Sequence, residues 1–213
     1  MSPTNNFKIH KFVVGYIETN MYLISKDNQG IIIDPGFINN EANDILKKIK
    51  KECNEIPAIL LTHGHFDHIS GCNMIKKEFK SKIYCHKFEL EKLSDPQKSG
   101  AILFPIEENQ IIEVDEYLQD SDKIDFITLR FKIIHTPGHT KGGISILLDD
   151  KFLFSGDTIF KDSIGRTDFY DGSYQEEISS IKMKILTLPL DTTIYPGHGP
   201  QTTVRQEKKY FNN

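Results

Sequence analysis

Cysteine is scarce in this chain. Cys53, Cys72 and Cys85 are odd in number and show no CxxC spacing. They read as reduced thiols packed inside a cytoplasmic protein, and a disulfide framework is excluded. Long apolar runs are lacking too, so no transmembrane helix is expected. The polar start, Met1 to Asn6, has none of the apolar core of a secretory signal. No Lys/Arg block stands apart from nearby acids, and the formal charge is -4. That balance carries no electrostatic footprint for nucleic acid. No short repeat, low-complexity tract or composition shift divides the chain. The length fits one large domain or two small ones.

What is present is a series of short apolar strands ending in polar turns. Phe7 to Val14, Met21 to Ile24 and Gly30 to Ile33 read as strands of a hairpin or meander, with Lys26-Asp27-Asn28-Gln29 as a turn. Asn40 to Lys51 has the apolar stripe Ala42, Ile45, Leu46 and Ile49 of an amphipathic helix, with its lysines facing solvent. Ala58 to Leu61 reads as a buried strand, Asp67 to Phe79 as one helix, and Lys82 to His86 as a short strand. His86 is expected at the surface or as a cap. Residues 87–110 are irregular, and Ala101 to Pro105 reads either as a lid over a pocket or as packing. Strands are expected again at 123–127, 129–134, 144–148, 152–154 and 192–195, and a helix from Ser173 to Leu186 packs through Ile178, Ile181 and Ile185.

The strand ends carry the chemistry. Thr62-His63-Gly64-His65-Phe66-Asp67-His68 places four potential ligands within six residues, at a spacing that suits a loop and not a helix face. Imidazole with carboxylate suits Zn, Fe or Mn. Later strands run into Thr136-Pro137-Gly138-His139-Thr140, Ser155-Gly156-Asp157-Thr158 and Tyr195-Pro196-Gly197-His198-Gly199-Pro200. Glycines at these ends permit the tight backbone that gathers several loops at one point. His63, His65, Asp67, His68, His139, Asp157 and His198 exceed what one tetrahedral ion needs and suit two ions with a bridging carboxylate. Asp34, followed by Pro35-Gly36, either caps its own turn or orients a ligand histidine.

These four motifs, in this order, resemble the metallo-β-lactamase superfamily, and within it the single-domain glyoxalase II-like hydrolases. The resemblance runs from about residue 7 to the end of the chain. It implies an α+β fold, a four-layer αβ/βα sandwich, with the metals in a cleft along one sheet edge. It assigns His63, His65 and His139 to one ion and Asp67, His68 and His198 to the other, with Asp157 bridging; His135 lies outside the set. It implies one domain over residues 1–213, without the C-terminal helical domain that helps full glyoxalase II enzymes hold glutathione.

The activity implied is hydrolysis of a small-molecule thioester such as S-lactoylglutathione, by a hydroxide shared between two divalent ions, zinc by first expectation and iron or manganese otherwise. Asp67 and Asp157 are the candidate catalytic carboxylates, acting as ligands. Arg166 is the candidate contact for a substrate carboxylate, with an ion pair to Asp168 as the structural alternative. Asp168 stands where glyoxalase II enzymes carry a Tyr. Two other readings remain open. Persulfide dioxygenases resemble the chain around Gly165-Arg166-Thr167-Asp168-Phe169 and use one Fe(II) on residues matching His63, His139 and Asp157. A metal-holding module without catalysis is the third. Gly199-Pro200 after His198 matches the hydrolases.

Overall fold

The computed structural model describes residues 7–104 and 111–211. The chain begins as an antiparallel meander, β1 (Lys8–Val14), β2 (Thr19–Lys26) and β3 (Gln29–Ile33). Asp27 and Asn28 take positive φ in the turn between β2 and β3, which these short polar side chains tolerate. Helix α1 (Ala42–Glu52) crosses over to β4 (Glu55–Leu60), and β5 (Lys82–His86) and β6 (Glu116–Leu118) continue the sheet in parallel. The second sheet comprises β7 (Lys123–Phe126), β8 (Leu129–His135), β9 (Ile144–Leu148), β10 (Phe152–Gly156), β13 (Thr193–Pro196) and β14 (Thr202–Thr203). A small hairpin, β11 (Ile159–Phe160) with β12 (Ser163–Ile164), follows β10.

The period of two along each strand builds the layers. Tyr22, Ile24, Ile31, Ile33, Ala58 and Leu60 point to one side of the first sheet and meet Phe131, Ile133, Ile146, Leu148 and Phe154 of the second. Their strand neighbours Leu23, Ile32 and Ile59 point the other way, onto Ile45 and Ile49 of α1 and Cys72 and Ile75 of α3 (Cys72–Phe79). On the far side Leu147, Leu153 and Ile194 pack beneath Ile181, Ile185 and Val204. Helix, sheet, sheet and helix therefore stack as the expected αβ/βα sandwich. All three cysteines are buried and free. Among the described residues no helix is long and apolar enough to cross a membrane.

Three local expectations change, and one open alternative is decided. The helix expected over 67–79 is two: α2 (Phe66–Ile69) and α3, broken at Ser70–Gly71. The Gly71 N–H donates to the Pro35 carbonyl at 2.6 Å, and a Cβ there would sit 2.4 Å from the Phe37 ring. The strand expected over 123–127 ends at Phe126, because Ile127 and Thr128 take positive φ as the turn into β8. In the helix expected over 173–186, α4 (Tyr174–Ser180) widens into a π turn at Ile181–Ile185, and Glu177 is buried where Ile178 is only half-buried. His86 is buried, accepts from the Phe88 N–H at 3.4 Å and stacks on His135 with 4.4 Å between ring centres. It is thus a cap, not a surface residue. Of the segment 101–105, Ala101–Leu103 forms a 3-10 turn and Phe104 packs tilted against Phe66, with 4.3 Å between ring centres; Pro105 and the rest of the possible lid to residue 110 lie outside the described residues.

Candidate metal centre

The loop after β4 is held by a residue from the neighbouring strand end. Asp34 follows β3, which pairs in parallel with β4. Its Oδ1 accepts from the Thr62 N–H at 2.8 Å, and its Oδ2 accepts from Thr62 Oγ1 at 2.6 Å and His68 Nδ1 at 2.9 Å. Nδ1 of His68 is therefore its protonated nitrogen, and Nε2 turns inward, 3.2 Å from Asp67 Oδ2 and 3.3 Å from Asp157 Oδ1. Asp34 orients a histidine, so that sequence alternative holds over a turn cap alone.

His139 is set in the same manner. Its Nδ1 lies 2.6 Å from the Arg166 carbonyl, a pure acceptor, so Nδ1 carries the proton. Its Nε2 then faces His65 Nδ1 at 2.9 Å and Asp157 Oδ2 at 3.6 Å. His198 Nε2 reaches Asp67 Oδ2 at 3.2 Å and Asp157 Oδ2 at 3.5 Å. Thr19 Oγ1 donates to Asp67 Oδ2 at 2.7 Å. All seven expected ligands thus come together, from four loops. Two sets have their ligand atoms within 4.8 Å of one another, His63 with His65 and His139, and Asp67 with His68 and His198. A third set, Asp34 with His63 and His68, meets the same criterion, but both Asp34 oxygens are already engaged.

The donors fit divalent ions. His63 Nε2, His68 Nε2 and Asp157 Oδ1 are buried without a hydrogen-bond partner among the described residues, a costly state for polar atoms unless a cation engages them. Burial pulls the His63 imidazole well below its usual range, with His68, His65 and His139 adding to it, and pulls His65 down to about 3. Neutral imidazole is the ligating form. Burial alone would raise Asp67 and Asp157, but His68 and His198 outweigh it and hold both carboxyls ionised, well below their ordinary range. Against the opposing effect of burial, Asp67, Asp157 and Asp34 raise His68, and Asp157 and Asp67 lift His198 to about 9. The cluster draws positive charge. Close approach also matters: a Cβ on Gly197 would lie 2.1 Å from Asp157 Oδ1, and one on Gly156, at φ +51, would lie 2.4 Å from Thr62 Oγ1.

Arg166 meets the alternative expectation. Nε and an Nη donate to the two carboxylate oxygens of Asp168 at 3.0 and 2.9 Å, and both side chains are exposed. His135 and His86 stand apart from the cluster as a stacked pair.

Sequence reasoning missed the buried acids that hold the loops. Glu89 accepts from the Gly64 N–H at 2.7 Å, from Thr140 Oγ1 at 2.8 Å and from the Gly142 N–H at 2.8 Å. It therefore ties the first ligand loop to the His139 loop. Lys92 lies 3.4 Å from Glu89 and 2.5 Å from Asp171, which extends the tie to the loop carrying Phe169. Glu177 accepts from the His139 N–H at 2.9 Å, and burial lifts its carboxyl to about 9. The only trace in the sequence is a Glu–Lys pair three residues apart, which reads as an ordinary solvent-facing pair.

A cavity of about 570 Å³ opens over the cluster, with His65, Asp67, His139, Asp157 and His198 in its floor. Its size is that of a small-molecule site.

Comparison with known proteins agrees with this geometry. The sequence profile of the metallo-beta-lactamase superfamily matches residues 14–198. The chain is 34% identical over 202 residues to the probable metallo-hydrolase YqgX of Bacillus subtilis, covering 94% of each. It is 35% identical over 204 residues to the hydroxyacylglutathione hydrolase GloC of Haemophilus influenzae, covering 90% of this chain and 91% of the relative. Among solved structures, BLEG-1 B3 metallo-beta-lactamase superposes with a TM-score of 0.87 at 36% identity, over 95% of this chain and 97% of the other. TTHA1623 in a di-iron-bound form gives 0.80 at 27% identity, over 94% and 98%. The chain belongs to the metallo-beta-lactamase superfamily.

Proposed function

We propose that this protein is a binuclear metal-dependent hydrolase of thioesters, with S-lactoylglutathione as one member of the class. The observation that carries the reading is the second ligand set, Asp67 with His68 and His198, lying beside the first and sharing Asp157 with it. A mononuclear site on His63, His139 and Asp157 leaves that second set without a purpose, so the hydrolase is favoured over the dioxygenase. The open cavity above the cluster favours catalysis over a closed metal-holding module. The relative GloC, by its name a hydroxyacylglutathione hydrolase, supports the thioester class.

His63, His65 and His139 would hold one ion, Asp67, His68 and His198 the other, and Asp157 would bridge. Bound divalent ions supply a water acidified to neutral pH and Lewis acidity toward an acyl carbonyl. Asp34 and the Arg166 carbonyl engage Nδ1 of His68 and His139, so that each turns Nε2 toward the ion it would hold. In the reaction a water oxygen bonds to the acyl carbon and the carbon–sulfur bond breaks, giving a carboxylate, a thiol and one released proton. No donor within the cavity is assigned to the leaving group, because a thiolate departs at near-neutral pH without one. Zinc is the proposed metal, and the di-iron TTHA1623 makes iron the alternative.

The test is thiol release from S-lactoylglutathione and simpler thioesters, set beside ring opening of a cephalosporin and oxygen uptake with glutathione persulfide. Thioester hydrolysis that disappears together with bound metal in Asp157→Ala supports the proposal. Inert thioesters alongside oxygen uptake or β-lactam turnover would overturn it.

A further inference from the structure

The walls of the cavity differ in character from its floor. Above the ligands it is lined by Ile17, Phe66, Phe104, Phe160, Ile164 and Phe169. Its mouth carries Ile102 and Leu103, 62% and 74% exposed, across from Ile17 at 41%. Exposed apolar side chains gathered at a pocket mouth mark a surface that meets an apolar ligand.

Among the described residues the lining cations are Lys98 and Arg166, and each already has an acidic partner. Lys98 pairs with Glu91 and lies 4.7 Å over the Tyr170 ring. Arg166 pairs with Asp168 and lies 4.4 Å over the Phe169 ring. Each positive charge is balanced by its own loop acid, and each side chain lies along an aromatic face. The rim thus exerts little net pull on an anion. The polar lining is no freer at Ser99, whose Oγ accepts from the Ala101 N–H at 3.4 Å and whose carbonyl accepts from the Phe66 N–H at 3.0 Å.

We propose that this cavity is an acyl pocket that takes an apolar aliphatic or aromatic acyl chain, carried on a thiol of little charge. The proposal rests on the thioester-hydrolase reading and names the substrate class within it. The acyl carbonyl would lie at the floor, near Asp157 and His198, with the chain running between Phe66 and Phe169 toward Ile102. A polyanionic carrier would have to draw Lys98 from Glu91 or Arg166 from Asp168, whereas an apolar chain meets the aromatic and aliphatic walls without displacing either pair.

Two titration series test this. In the first, straight-chain 2-alkanones from butanone to decanone are titrated into the protein by calorimetry; they present the carbonyl and the chain without a leaving group. Affinity is expected to rise roughly fourfold per methylene until the cavity fills. In the second, N-acetylcysteamine thioesters from acetyl to octanoyl are compared with the same acyl groups on glutathione. kcat/KM is expected to rise along the acyl series, with no advantage for glutathione. The double variant Ile102→Ser, Leu103→Ser, at exposed positions that the fold does not need, should reduce the slope of both series. A flat alkanone series overturns the proposal, as does a tenfold preference for the glutathione carrier. A rising alkanone series with no thioester turned over supports the apolar pocket and overturns only the hydrolase reading. Thioester turnover indifferent to chain length, with flat alkanone binding, overturns the pocket and leaves the hydrolase standing.

Discussion

Replacing Glu89 with Gln changes one buried oxygen into an amide nitrogen and removes one charge. Every neighbour of the Glu89 carboxylate is a donor: the Gly64 and Gly142 N–H groups, the Thr140 hydroxyl and the Lys92 ammonium. In one orientation the Gln nitrogen faces Gly64 and Lys92; in the other it faces Thr140 and Gly142. Either way two donors meet a donor, in a place with no exposure to water. Lost hydrogen bonds to a charged group cost about 1.5–3 kcal/mol each. Breaking one side of a buried ion pair costs about 3–5 kcal/mol. These figures overlap in part, so we expect Glu89→Gln to destabilise the metal-free protein by roughly 3–5 kcal/mol. For a chain of this size that is a melting point lower by about 6–20 °C. Because Glu89 joins the loop of His63 and His65 to the loop of His139, metal affinity should also fall, by about 10–100-fold as for other residues supporting ligands. Thermal unfolding followed by circular dichroism, with and without metal, measures the first, and competition with a chelator the second. A variant that melts within ~2 °C of the parent and holds metal equally well would refute the tie between the two loops.

Three further predictions follow from the same geometry. Gly197→Ala puts a methyl 2.1 Å from Asp157 Oδ1 and 2.7 Å from His68 Cε1, so dialysed protein should retain far less metal while its far-UV spectrum stays native; undiminished metal content would contradict the close approach. Asp34→Asn replaces an acceptor of three hydrogen bonds by one that must turn a nitrogen toward Thr62 or His68. Metal affinity should drop about 10–100-fold, and an unchanged value would remove Asp34 from its orienting role. Burial, with His135 and Lys87 nearby and Asp120 opposing, lowers His86 from the ordinary histidine value of 6.5 to about 4. The unfolded chain therefore binds a proton first, and this contribution to stability is lost as pH falls from 6.5 toward 4. His86→Phe should flatten that part of the pH dependence in urea unfolding, and an identical profile for parent and variant would show that His86 does not titrate as its burial implies.

Much of the site was legible because its ligands fall where local pattern is strongest. Ile31 to Ile33, Ala58 to Leu61 and Ile133 to Ile134 are apolar runs that stop abruptly at Asp, Thr or His, two or three residues before a glycine. The apolar runs of β2, β3 and β4 read as strands, and the structure shows why they are apolar throughout: successive residues face two cores, one on each side of the sheet. The unread features depend on contacts far apart in sequence. Gly71 breaks a helix because Phe37 and Pro35 press against it, and neither is its sequence neighbour. Glu89 reaches Gly64 and Gly142 across 25 and 53 residues. A buried acid in a charged, irregular segment looks like a surface acid until its partners are in place. Arg166 shows the converse: Asp168, two residues away, was named as its alternative partner, and the pair forms.

The measurement that tests the central claim most directly is the metal content of protein purified without chelators, counted by elemental analysis per chain. Two divalent ions per chain, falling together in Asp157→Ala, is the predicted result. A single ion per chain, bound as tightly when Asp67, His68 and His198 are replaced by Ala, would contradict it.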